Sequence, residues 1–174
     1  YHMAGSDLSA DMIEVARAVA AEQKLAIAYH TEPFQTCARI GQPFDAVIAM
    51  FAAIDYLVDA ADLTLALTNI QALVRPGGVF IFDFWNGNAV ISDYSPRRVK
   101  SVEENGLRMV RTSNTTLDTM TQRATVRFDF ELSKDGALID QFSETHVVRY
   151  FYPQEMADLL LAHGFEVIQR CPFM

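Results

Sequence analysis

Residues 44–51, FDAVIAMF, form a nearly continuous apolar run. A stretch of that kind predicts a strand of a parallel sheet, covered on both faces. The flanking sequence supplies the helices that such a sheet needs as crossovers. From Ser9, a plausible N-cap, Met12, Val15, Ala16, Val19 and Ala20 recur at helical spacing. From about Asp59, Leu63, Leu67, Ile70 and Val74 form a second stripe, with Asp59 and Asp62 favourable near the N-terminal end of the helix dipole. The RPGG sequence at 75–78 breaks this second helix and turns the chain into another apolar run, VFIFDFW, at 79–85. With a short strand up to Asp7 and LAIAYH at 25–30, residues 1–85 read strand, helix, strand, loop, strand, helix, strand. That alternation predicts an α/β fold with a Rossmann-like, mostly parallel sheet and crossover helices.

Beyond Trp85 the pattern changes. RATVRFDFELS alternates strictly, with Ala124, Val126, Phe128, Phe130 and Leu132 on one face, as in a half-exposed antiparallel strand. Lys134, Asp135 and Gly136 supply a hairpin turn, the return strand runs from about Leu138 to Phe151, and residues 106–116 add a third strand. A helix from Pro153 ended by Gly164 and a final strand, FEVIQR at 165–170, complete the pattern. The expected organisation is a core of residues 1–85 and 152–174, with an antiparallel β insertion over residues 86–151.

With 14 basic against 22 acidic residues, the net charge of −8 disfavours nucleic acid and anionic membrane surfaces as partners. Arg97, Arg98 and Lys100 are read as one solvated loop. Cys37 and Cys171 have no partner at metal-ligand or redox spacing, which suits reduced thiols of a cytoplasmic protein, and no apolar run is long enough to span a bilayer. No His, Asp or Glu cluster has metal-ligand spacing, so no metal is expected.

In open parallel sheets, ligands bind beyond the carboxyl ends of the strands. Asp7 sits at such an end, where a carboxylate can accept hydrogen bonds from both hydroxyls of a ribose. The same residue, just before a helix, can equally serve as a cap, and the residues alone leave both readings open.

GSDLSADMIEVARA, FDAVIAMFAAIDYL and LVRPGGVFIFDF, in this order and at these intervals, resemble the class I S-adenosylmethionine-dependent methyltransferases in their second-, fourth- and fifth-strand segments. MFAAIDYL is similar to small-molecule members, including amino-sugar N,N-dimethyltransferases. FDFWNGNAV and ETHVVRYFYPQEM are similar to bacterial members with a small β insertion after the fifth strand. The resemblance implies S-adenosyl-L-methionine as cofactor. It places Asp7 on the cofactor's ribose, Met12 near its adenosine, and Ala49, Met50 and Phe51 around its methionine part and reactive methyl. One departure stands out: the family's glycine-rich loop after its first strand is absent, so the first strand and this loop are expected to lie outside the chain. The family's last antiparallel strand is expected to be missing too.

Methyl transfer requires a nucleophile aligned with an already activated methyl and shielded from water. Aromatic faces stabilise a sulfonium, which makes Phe51, Tyr56 and Trp85 candidates, Tyr56 and Trp85 on the acceptor side. An acceptor that must lose a proton calls for a base. Counting by two along QFSETHVVRYF places Glu144 and His146 on the face of Phe142, Val148 and Tyr150. They are the candidate catalytic pair, and a purely structural pairing is the competing reading. Arg149, on the opposite face, is read as a surface charge or the partner of a nearby acid. The expected function is methyl transfer to the nitrogen or oxygen of a small-molecule acceptor, with the insertion as lid, acceptor platform and, in a homodimer, subunit interface. The alternatives are an NAD-dependent oxidoreductase, since an acid after the second strand reads a ribose there too, and a non-catalytic cofactor-binding protein of the same fold.

Overall fold

The computed structural model describes residues 1–171. They divide into two compact units, one of Tyr1–Met50, Asp59–Phe82 and 157–171, the other of Phe51–Val58 and Asp83–Met156.

The first unit is the α/β part. Strand β1 (Met3–Asp7) pairs in parallel with β2 (Ile27–Thr31) through helix α1 (Ala10–Glu22), and β3 (Phe44–Ala49) pairs in parallel with β4 (Val74–Phe82) through helix α2 (Ala60–Leu73). The hydroxyl of Ser9 accepts the N–H of Met12 at 3.3 Å and so caps α1, which buries Ile13 and Ala20. Helix α2 buries Leu63, Ala66, Leu67, Ile70 and Leu73, three of which belong to the stripe expected from its spacing. Among the described residues no ladder joins β1 to β3, and the parallel strands form two separate pairs.

Several expectations need correction. The strand at 44–51 is not covered on both faces: Ile48 and its β4 partner Ile81 are 63% and 49% exposed, because a two-stranded sheet leaves one face open. Likewise Met12, Val15 and Val19 of α1 are exposed rather than core. RPGG does not form a tight turn before β4 but lies within it, and the extra length is absorbed where the register jumps from Phe44↔Val74 to Ala46↔Val79. Gly78 is required there, since a Cβ would come within 2.8 Å of the Asp45 carbonyl oxygen. Residues 165–170 carry no ladder. Among the described residues no strand pairs with them, and Phe165 instead packs its ring against Phe80, centroids 5.7 Å apart. The 3₁₀ turns Phe34–Ile40 and Ala53–Tyr56 and the short helix α3 (Gly87–Ser92) had no clear signal in the periodicity.

The second unit is built on an antiparallel sheet of β5 (Arg97–Glu104), β6 (Leu107–Asp118), β7 (Arg123–Lys134) and β8 (Ala137–Arg149), in that order. Asp135 and Gly136, with φ of 50° and 84°, make the expected turn between β7 and β8. Arg97, Arg98 and Lys100, read from sequence as loop residues, belong to β5: charged side chains hide the alternation of an edge strand whose two faces are both wet. Ala124, Val126, Val148, Tyr150 and Phe151, with Ile54, Leu57 and Met156, are buried in this unit's core. Arg149 pairs with Glu155 of the helix α4 (Pro153–Ala162) at 2.6 Å, as its reading as an acid's partner anticipated. No helix of the described residues is long and apolar enough to cross a membrane.

Candidate functional site

In the second unit the chain enters through Phe51 and Ala52, which both adopt left-handed backbone, φ 63° and 60°. Two successive non-glycine residues in that region carry strain of about 1–2 kcal/mol each, so the surroundings must hold them there. Asp83 does part of this by accepting the Ala52 N–H through Oδ1 at 3.1 Å. The Asp55 N–H closes the following 3₁₀ turn on the Ala52 carbonyl at 3.1 Å. Phe51 itself is 85% exposed.

Asp55 is fully buried and accepts the backbone N–H of Trp85 through Oδ2 at 2.9 Å. Its other oxygen, Oδ1, is buried without a hydrogen-bond partner among the described residues. Burial foremost lifts its pKa to about 7, the Trp85 N–H opposes the rise, and the nearby Asp83 charge adds to it. Sequence reasoning missed both Asp55 and Asp83. The signal was an acid inside an otherwise apolar segment, AAIDYL, and another at the point where VFIFDFW leaves its sheet.

The next residue, Tyr56, turns its hydroxyl to Nδ1 of His146 at 2.9 Å, and Nε2 of His146 lies 3.3 Å from Glu144 Oε2. Strand β8 presents His146 opposite Val126 and Glu144 opposite Phe128, which puts them on the apolar face of the sheet, and the Phe128 ring meets the His146 ring edge-on at 5.4 Å. If Nε2 carries the ring proton and donates it to Glu144, Nδ1 accepts from Tyr56, and the three groups form one directed chain. Burial first, then the charges of Glu144 and Asp55, raise the pKa of the Tyr56 phenol, so it remains a hydroxyl at neutral pH. The Tyr56 side of this chain is open, for the residue is 53% exposed. Trp85, held through its backbone, is 38% exposed. An open hollow of about 460 Å³ lined by Asn114, Thr116, Thr125, Arg127 and Thr145 lies on the other, polar face of the sheet and holds no such chain.

In the first unit, Asp7 is exposed at the carboxyl end of β1, and its Oδ1 accepts the Ser9 N–H at 2.7 Å. It therefore makes a local turn contact from a position at the strand end where a carboxylate can also receive sugar hydroxyls. Met12 is exposed one helical turn on, while Ala49 is buried and Met50 half-buried at the end of β3. The structure thus groups Tyr56, Glu144 and His146 in one unit with Phe51 and Trp85, and leaves Asp7, Met12, Ala49 and Met50 in the other. Among the described residues no group of three or more His, Cys, Asp or Glu could hold a metal ion.

Residues 1–78 match the family model described as a methyltransferase domain. Over 164 residues the chain is 26% identical to dTDP-3-amino-3,4,6-trideoxy-α-D-glucopyranose N,N-dimethyltransferase of Streptomyces venezuelae, covering 94% of this chain and 66% of that protein. An S-adenosylmethionine-dependent methyltransferase from Clostridium acetobutylicum has the same fold, with a TM-score of 0.82 at 17% identity over 97% of this chain and 66% of that one. A sugar N-methyltransferase from Streptoalloteichus superposes with a TM-score of 0.76 at 25% identity over 94% of this chain and 62% of that one. The chain thus spans about two thirds of the length of these relatives. The resemblance to S-adenosylmethionine-dependent methyltransferases read from the three motifs, amino-sugar enzymes included, holds, and so does the α/β fold with its antiparallel addition. Nothing supports a nicotinamide-dependent oxidoreductase.

Proposed function

We propose that the protein carrying this chain is an S-adenosyl-L-methionine-dependent methyltransferase of small molecules, with the amine of a nucleotide-linked amino sugar as the first acceptor to test. The observation that carries the reading is the Tyr56–His146–Glu144 chain, which opens at Tyr56 in a fold shared with methyltransferases. The residues present fit the cofactor. Asp7 offers a carboxylate at the strand end for the ribose, exposed Met12 offers an apolar contact for the adenosine, and Ala49, Met50 and Phe51 follow one another out of β3. When bound, the cofactor supplies a methyl group already activated on a sulfonium.

What remains for the protein is alignment and proton removal. With the His146 proton on Nε2 and the Tyr56 hydroxyl donating to Nδ1, the phenol oxygen can accept a hydrogen bond from an acceptor's N–H or O–H. A proton released there passes to Tyr56 as the Tyr56 proton moves to Nδ1 of His146, and Glu144 stabilises the imidazolium through Nε2. Trp85 and Phe51 present aromatic faces that favour a cation and exclude water. Residues 86–151 serve as the lid or acceptor platform, residues 1–85 and 152–174 as the cofactor-binding core, and the cytoplasm as the compartment, in keeping with two free cysteines. Neither nucleic acid nor a membrane is a partner, as the net charge of −8 suggests, and a homodimer is the expected assembly. Incubation with methyl-labelled cofactor and a panel of amino- and hydroxy-sugar nucleotides tests the reading. Label transferred to a sugar amine supports it, and no transfer to any acceptor, with the cofactor demonstrably bound, overturns it.

A further inference from the structure

Asp55 and Asp83 lie outside the proton path proposed above, yet each holds a backbone group of the other's segment. Asp83 accepts the Ala52 N–H at 3.1 Å, and Asp55, in the turn that Ala52 begins, accepts the Trp85 N–H at 2.9 Å. The two short segments therefore each give one carboxyl and receive one. The Trp85 peptide is held on its other side as well, for its carbonyl accepts the Phe151 N–H at 2.9 Å, and the Phe151 carbonyl accepts the Gly87 N–H at 2.9 Å. Phe151 closely follows β8, the strand that carries Glu144 and His146. Contacts thus run in a closed ring: from Tyr56 to His146, along β8 to Phe151, across to Trp85, and back through Asp55 to its neighbour Tyr56. Asp55 closes this ring from a fully buried position, whereas the side chains of Tyr56 and Trp85 are exposed.

We propose that Asp55 and Asp83 are positioning residues for the acceptor side, Asp55 fixing Trp85 against Tyr56 and Asp83 fixing Phe51 through the Ala52 N–H, with neither touching the acceptor. The proposal rests on the methyl-transfer reading and assigns to it two residues that the proton path does not use. Stability alone does not account for Asp55. Its neighbours Ile54 and Leu57 are buried and apolar, and an apolar side chain at 55 would suit that setting better than an acid with one oxygen unpartnered among the described residues. What the carboxyl adds is an acceptor for one particular N–H, that of Trp85. Asp83 has the matching task. The left-handed Phe51 and Ala52 leave regular backbone pairing, and the Asp83 carboxyl supplies the acceptor that the Ala52 N–H would otherwise lack. Methyl transfer makes such fixing matter, because a misplacement of about 1 Å between reacting groups costs on the order of 100-fold in rate.

Magnetic resonance of the protein labelled with nitrogen-15 at tryptophan, together with steady-state kinetics on an amino-sugar nucleotide that the parent methylates, tests this. Asp55→Ala, Asp55→Asn and Asp83→Ala stand beside the parent, with circular dichroism to check folding. Trp85 is the chain's only tryptophan, and the signal lost in Trp85→Phe assigns its amide. In Asp55→Ala that amide is expected to exchange with solvent about tenfold or more faster, as its bond is gone. The same variant should lose about 30- to 100-fold in kcat/KM for the acceptor, while S-adenosylhomocysteine affinity stays within about twofold of the parent. Asp55→Asn keeps an oxygen for the N–H and should restore the slow exchange and bring kcat/KM to within about threefold of the parent. Asp83→Ala, which leaves Asp55 in place, is expected to lower kcat/KM about tenfold. The proposal is overturned by parental kcat/KM in a folded Asp55→Ala or Asp83→Ala, by an Asn variant no better than the Ala variant, or by unchanged exchange of the Trp85 amide in Asp55→Ala. Should Asp55→Ala fail to fold, Asp83→Ala decides by the same criterion. A parent that binds S-adenosylhomocysteine and methylates no acceptor contradicts the methyltransferase reading instead, and the Trp85 amide then decides by itself whether the clamp exists.

Discussion

The Tyr56 hydroxyl lies 2.9 Å from Nδ1 of His146, and the two residues stand 90 positions apart in sequence. The contact ties the 3₁₀ turn Ala53–Tyr56 to the last strand of the antiparallel sheet. In the proposed reaction the phenol meets the acceptor, the imidazole receives a proton, and the Glu144 carboxylate orients the ring.

Removing the phenol oxygen breaks the chain at its exposed end. Tyr56→Phe is expected to lower turnover about 100-fold, within the range for positioned proton transfer, with unchanged affinity for S-adenosylhomocysteine. His146→Gln should lower it similarly with cofactor affinity again unchanged, whereas replacing a merely structural histidine would leave turnover of the folded variant unchanged. Steady-state kinetics with calorimetric binding separates the two.

Asp55 makes stability depend on pH. Its folded pKa of about 7 lies above the ordinary 3.8, so the folded state holds the proton more tightly than the unfolded one. Stability contributed by the protonated form is present in full below about pH 4 and is lost as pH rises through about 7, by at most on the order of 4 kcal/mol. Asp55→Asn keeps an oxygen for the Trp85 N–H and carries no charge. Denaturant titrations of parent and variant should therefore diverge between about pH 5 and pH 8, the variant gaining relative stability at the higher value. Parallel curves would contradict the assignment.

The left-handed turn gives a prediction of opposite sign to most substitutions. Ala52, at φ 60°, makes its backbone bond to Asp83 through the N–H alone, and glycine would keep that bond. Ala52→Gly is expected to stabilise the protein by about 0.5–1 kcal/mol, because relief of the left-handed strain exceeds the added entropy of the unfolded chain. Chemical denaturation at fixed pH measures it.

Much of the fold was legible because period and punctuation agreed. The stripe Leu63, Leu67, Ile70 specified α2, and the alternation from Ala124 to Leu132 specified β7 and the face on which His146 lies. Exposure was not legible, since the apolar character of Ile48 or Met12 says that a side chain favours cover, not that this chain supplies it. Strand β5 escaped notice because charges occupy both faces, while residues 165–170 read as a strand because an apolar pattern does not say whether a neighbour pairs with it. Within the site, the Glu144–His146 pairing followed from counting by two. The arrival of Tyr56 beside it, and the burial of Asp55, depend on a turn built from Phe51 and Ala52, residues with no sequence signal for left-handed backbone.

The central claim is that Asp7 grips the sugar of an adenosine-containing sulfonium cofactor. Isothermal titration of the protein carrying this chain with S-adenosylhomocysteine tests it most directly, with NAD as control and Asp7→Ala beside the parent. The expected result is binding of S-adenosylhomocysteine and not NAD, weakened about tenfold or more in Asp7→Ala, while the free energy of unfolding falls only by the loss of the contact to the Ser9 N–H, about 1 kcal/mol. Absence of S-adenosylhomocysteine binding, or equal affinity in the variant, would contradict it.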